Sequence, residues 1–99
     1  MAATPMVELL AVHRDAIIAI AERHGARNVR VFGSFARGEA TETSDVDFLV
    51  STVEHTNPWF PAGLKPDLEQ LLGRPADVVT EDGLHKLLRP RILNEAKAL

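Results

Sequence analysis

Cysteine is absent from this 99-residue chain, which excludes disulfide scaffolds, thiolate zinc sites and cysteine nucleophiles together and leaves nothing that needs an oxidising compartment. A basic excess is absent too. Lys and Arg number 11 against 14 Asp and Glu, a formal net charge of −3. Nonspecific nucleic-acid binding rests on a cationic footprint, so no direct nucleic-acid ligand is expected. The longest apolar run, Ala16 to Ala21, is far short of the roughly 20 residues of a membrane span. Arg14 and Asp15 ahead of it resemble no signal-peptide start, and the expectation is a cytoplasmic protein with no membrane partner. Internal repeats and low-complexity segments are also missing. None of the four histidines has a ligand spacing such as HExxH. His13 and His24 fall on the apolar face of the first helical segment and read as packing or surface residues.

What is present is ordinary globular material, 45% hydrophobic and 25% charged. The length suits one domain spanning residues 1–99 around a modest core. From about Met6 to His24, apolar residues recur at three- and four-residue spacings, which predicts a helix that stops at Gly25. Asn28 to Phe32 and Val46 to Ser51 read as strands, and Ala76 to Thr80 as a third. Between the first two lies a connector of small, hydroxylated and acidic residues, with room for one or two helical turns near Phe35 and Ala36. Asn57 and Pro58 suit a helix start, but Pro61, Gly63 and Pro66 predict a broken or late-starting helix before Gly73. In the tail, Pro90 splits the pattern into two short helices. Trp59 and Phe60 suit either a partner patch or the edge of the core. The element order predicts an α/β or α+β domain.

The chemistry concentrates in the connector and the strand after it. Asp45 and Asp47 alternate at the opening of a strand, so their carboxylates point to one side and offer the hard oxygens that Mg²⁺ prefers. Mg²⁺ commonly takes its remaining ligands from water and substrate phosphates, which implies a nucleotide. Gly33, directly after the preceding strand, lets the backbone approach an anion closely, and the Ser34 hydroxyl adds a donor. Asp77, at the start of the third strand, is the candidate for a third carboxylate. Arg37 is a secondary phosphate contact, with pairing to Glu39 or Glu42 as its other reading. Two familiar phosphate motifs are excluded. Gly33 and Gly38 have the spacing of GxxxxGK[ST], but Glu39-Ala40 stands where Lys and Ser or Thr are required; GxGxxG occurs nowhere.

The segments Gly33-Ser34-Phe35-Ala36-Arg37-Gly38 and Ser44-Asp45-Val46-Asp47-Phe48-Leu49-Val50 resemble the minimal nucleotidyltransferases of the DNA polymerase β superfamily. The resemblance runs on through Leu68-Glu69-Gln70-Leu71-Leu72-Gly73 and Asp77-Val78-Val79-Thr80 to Arg91-Ile92-Leu93-Asn94-Glu95-Ala96. It implies a small mixed β-sheet flanked by helices. It also implies transfer of a nucleoside monophosphate from an NTP to an acceptor hydroxyl with pyrophosphate leaving, and ATP is the expected substrate. By resemblance, Gly33, Ser34 and Arg37 serve the phosphates, Asp45, Asp47 and Asp77 the catalysis and two Mg²⁺ ions, with Asp77 the activating carboxylate. Many such proteins are antitoxins paired with a HEPN-domain, ribonuclease-like toxin, and some silence it by adenylylating a tyrosine. That implies an enzyme in a hetero-oligomer with its toxin; the alternative is a non-catalytic antitoxin that works by occlusion. Nucleotidylation of a small molecule is disfavoured, because relatives with that activity carry an additional substrate-binding domain.

Overall fold

The computed structural model describes residues 9–52 and 62–99. Asn57, Pro58, Trp59, Phe60 and Pro61, on which several sequence expectations rest, lie outside the described residues. In chain order the elements are α1 (Arg14–Arg23), β1 (Ala26–Phe32), α2 (Ser34–Arg37), β2 (Val46–Thr52), α3 (Leu64–Leu72), β3 (Ala76–Thr80), α4 (Arg89–Glu95) and β4 (Lys97–Ala98). The four strands form one mixed sheet in the order β3-β2-β1-β4. β2 and β3 are parallel, as a crossover through α3 requires, and the other pairs are antiparallel. The expected mixed sheet with flanking helices is therefore the observed fold.

Strand alternation explains which side is core. Val46, Phe48 and Val50 of β2 point to one face, where they meet Ile17 and Ala21 of α1 and Leu64, Leu68 and Leu72 of α3. Ile17, Val46, Phe48, Leu64 and Leu68 are at most 1% exposed. Each such side chain contributes about 1.5–3 kcal/mol of burial. His24 and Asp67, 2.7 Å apart, tie the end of α1 to the first turn of α3, so this histidine is an inter-helix contact. The opposite face of β2 carries Asp47, Leu49 and Ser51. There the Glu81 carboxylate accepts from Arg30 (3.2 Å) and Ser51 (2.8 Å), stitching the end of β3 to β2 and β1.

Several boundaries depart from the sequence expectation. The first helix is interrupted by a turn at His13, and α1 proper starts at Arg14. β1 begins earlier, at Ala26, because a bulge between Arg27 and Arg30 absorbs the polar residues that disguise its start. Asn28 sits in that bulge at φ 54°, a left-handed conformation that asparagine tolerates. α3 does start late, at Leu64, with Pro66 in its first turn, where no backbone donor is lost from the helix. Pro90 does not separate two helices in the tail. Residues 82–88 form turns, and Pro90 stands in the first turn of the single helix α4. β4 has only two residues, too few for any periodicity, and becomes a strand by pairing with Arg30 and Val31 of β1.

Candidate active site

The connector from β1 to β2 turns sharply at Gly33, whose φ of 73° and ψ of −151° belong to a region that is essentially glycine-only. The side chain of Asp47 fills the space in front of it: a Cβ added at Gly33 would collide with the Asp47 carboxylate oxygen Oδ2. α2 follows for a single turn, with Phe35 and Ala36 buried and Ser34 half-buried. It ends at Gly38, φ 74°, in the left-handed conformation common at helix ends. The loop that returns the chain to β2 is held from below. Arg74 donates to the carbonyls of Thr41 and Ser44, both at 3.1 Å, while its guanidinium lies 5.3 Å from the Phe35 ring centroid. One side chain thus links the turn after β1 to the entry of the acidic strand.

Asp45 and Asp47 alternate into β2, and the parallel register sets Asp77 of β3 directly beside Asp47. Adjacent, in-register strands present matched residues on the same face, so the three carboxylates share one end of the sheet. Asp47 is half-buried, whereas Asp45 and Asp77 are exposed. Burial raises the Asp47 pKa above its usual value, and the charges of Asp77, Asp45 and Glu95 raise it further against the pull of Arg37. Asp77 faces Lys65 of α3 at 3.5 Å. Among the described residues no three acidic or histidine side chains close into a metal cage. Mg²⁺ does not need one, being normally held by one or two carboxylates with phosphate and water completing its shell.

A cleft of about 530 Å³ opens over this end of the sheet. Gly33, Ser34, Arg37, Asp45 and Asp47 line it from the sheet side, and the α4 segment forms the facing wall. Asp77 lies outside the residues that line the cleft. On the α4 wall sits the residue that sequence reasoning missed. Glu95 accepts from the Gly33 backbone N–H at 2.8 Å and from Arg37 at 2.7 Å. Those two bonds, Arg37 first, hold its carboxyl below the usual range. Arg37 also donates to Glu39 at 2.8 Å, so it is braced between two glutamates, and their hydrogen bonds raise its own pKa. The anticipated Arg37–Glu39 pair is present; the partner on α4 had no local signal, since 62 residues separate Gly33 from Glu95.

Comparison with known proteins gives a consistent result. A family described as nucleotidyltransferase domain matches residues 14–99. Over 80 residues, covering 81% of this chain and 86% of the relative, the sequence is 46% identical to a proposed protein adenylyltransferase of Methanocaldococcus jannaschii. Protein adenylyltransferase MntA of Thermococcus cleftensis is 42% identical over 74 residues, 75% of each chain. A solved structure described as a proposed minimal nucleotidyltransferase superposes with a TM-score of 0.84 at 48% identity, covering 94% of this chain and 95% of that one. A chain from a complex of tri-AMPylated Shewanella oneidensis HEPN toxin with its MNT antitoxin gives a TM-score of 0.68 at 17% identity, over 89% of this chain and 69% of that one. At that identity the likeness speaks for the fold alone.

Proposed function

The chain belongs to the nucleotidyltransferase domain family, and from that membership we propose that it is a Mg²⁺-dependent protein adenylyltransferase acting as the antitoxin of a HEPN-type ribonuclease toxin. The observation that carries the reading is the cleft in which the Gly33 turn and the Asp45–Asp47 pair face one another. Asp47 is half-buried among like charges that disfavour its ionised form, and an oxygen-rich site of this kind suits a divalent cation. In this reading Asp45, Asp47 and Asp77 hold the metal ions. Mg²⁺ bound there would draw in the triphosphate and offset charge on the departing pyrophosphate. The turn at Gly33 lets the Asp47 carboxylate close in on the backbone, and Ser34, on the cleft lining beside it, offers its hydroxyl to phosphate. The acceptor oxygen attacks the α-phosphorus of ATP, the bond to the β-phosphate oxygen breaks, and pyrophosphate leaves. Asp77 takes the acceptor's proton. The 99 residues contain no tyrosine, so a tyrosine acceptor must lie outside them, as modification of a partner requires. The relatives named as protein adenylyltransferases support a protein acceptor.

The test is intact mass spectrometry of the HEPN-type partner after incubation with this chain, ATP and Mg²⁺, beside EDTA and Asp45→Asn controls. A metal-dependent gain of one or more AMP masses, absent with Asp45→Asn, is the expected result. A neutralised toxin of unchanged mass in a stable complex would replace catalysis by occlusion.

A further inference from the structure

A triphosphate brings several negative charges to a lining that already holds Asp45, Asp47 and Glu95. Two of the groups expected to receive it are engaged within the protein. The Gly33 N–H donates to Glu95, and Arg37 is shared between Glu39 and Glu95. The other cation lining the cleft is Arg91. Among the described residues Arg91 forms no ion pair and donates no hydrogen bond, and it is exposed. It stands on the same wall as Leu88, Ile92 and Glu95, at helical spacings that aim all four into the cleft. Its charge reaches Glu95 one turn further on, adding to the lowering of that carboxyl. An arginine fork suits phosphate oxygens, which it can grip with two parallel hydrogen bonds.

We infer that Arg91 is the side-chain cation that binds the triphosphate of the nucleotide, while Arg37 serves to brace Glu95 and the Gly33 turn. The inference rests on the nucleotidyltransferase reading of this cleft and assigns a residue within it. Leu88 and Ile92 leave the rest of that wall apolar, so among the described residues Arg91 is its one cationic group.

The experiment is calorimetric titration of the full chain with AMP-PNP and with AMP, both with Mg²⁺, for wild type, Arg91→Met and Arg91→Lys. A charged hydrogen bond to phosphate predicts that Arg91→Met weakens AMP-PNP binding by about 10- to 100-fold. The AMP affinity changes much less, Arg91→Lys recovers part of the loss, and the melting temperature is unaltered because Arg91 is exposed. Equal AMP-PNP affinity in wild type and Arg91→Met overturns the assignment and leaves the nucleotidyltransferase reading standing. Equal losses for AMP and AMP-PNP also overturn it, since the residue would then act on the cleft rather than on the phosphates. Failure of the wild-type chain to bind AMP-PNP overturns both.

Discussion

Replacing Gly33 by alanine tests the link between backbone and chemistry most directly, because Gly38 supplies a matched control four residues beyond α2's start. Both glycines have nearly the same φ, 73° and 74°. They differ in ψ and in what lies in front of them. Gly38 is in the left-handed helical region with nothing within 4 Å of an added Cβ, so alanine there pays only the conformational penalty of about 1–2 kcal/mol, reduced by a stiffer unfolded chain. Gly33 has ψ −151°, where a side chain costs about 1–3 kcal/mol. The new methyl also collides with the Asp47 carboxylate, and forced overpacking adds about 1–3 kcal/mol. At roughly 4–8 °C per kcal/mol for a domain this small, Gly33→Ala should melt on the order of 10 °C or more below wild type, and Gly38→Ala only a few degrees below. Displacing the Asp47 carboxylate by even about 1 Å should lower AMP transfer by about 100-fold, with Gly38→Ala near wild type. Thermal unfolding followed by circular dichroism, alongside the mass-spectrometric transfer assay, measures both quantities. If Gly33→Ala matched Gly38→Ala in stability and still transferred AMP, the close approach of turn and carboxylate could not be what shapes the site.

Asp47→Asn should separate stability from activity: it removes a half-buried charge disfavoured by burial and by its acidic neighbours, so the metal-free protein melts at a higher temperature while AMP transfer falls by at least about 100-fold. A lower melting temperature would show that the ionised carboxylate is a structural asset. Glu81 has the opposite character, its carboxyl held below its ordinary 4.5 by Arg30 first and then Ser51. The folded state therefore binds this proton less readily, and the stabilisation, present above pH 4.5, is lost as pH falls through the lowered value. Glu81→Gln should cost about 1 kcal/mol at pH 7, and the gap to wild type should close on acidification in parallel melting curves; a constant gap would exclude charge as the cause. Leu68→Ala, at a position 1% exposed, should destabilise by about 3 kcal/mol, read as a fall in the urea midpoint without a change in slope.

How far the site was legible from sequence depends on how far apart its parts lie along the chain. Gly33, Ser34, Asp45 and Asp47 fall within 15 residues, and strand alternation with the glycine turn is enough to bring them together. Asp77 needed one further step, because only the parallel register of β2 and β3 sets it beside Asp47. Two hydrophobic runs joined by a helix make that pairing a reasonable inference, though they do not specify which residues face each other. The tail was legible as helix, but not as a wall of the cleft. Its cleft-lining residues look like an unremarkable amphipathic tail until the chain returns, and β4 is anchored by pairing with Arg30 and Val31 rather than by any propensity of Lys97 and Ala98. Arg37 shows the consequence. Read locally it is either a phosphate ligand or the partner of Glu39; in the fold it is the middle of a Glu39–Arg37–Glu95 bridge. Together with the Gly33 N–H bond to Glu95, that bridge fastens the last helix to the turn after β1. The side of the cleft opposite the carboxylates is consequently built by long-range contacts alone, and it is there, around Arg91, that differences in nucleotide affinity between otherwise similar sequences should arise.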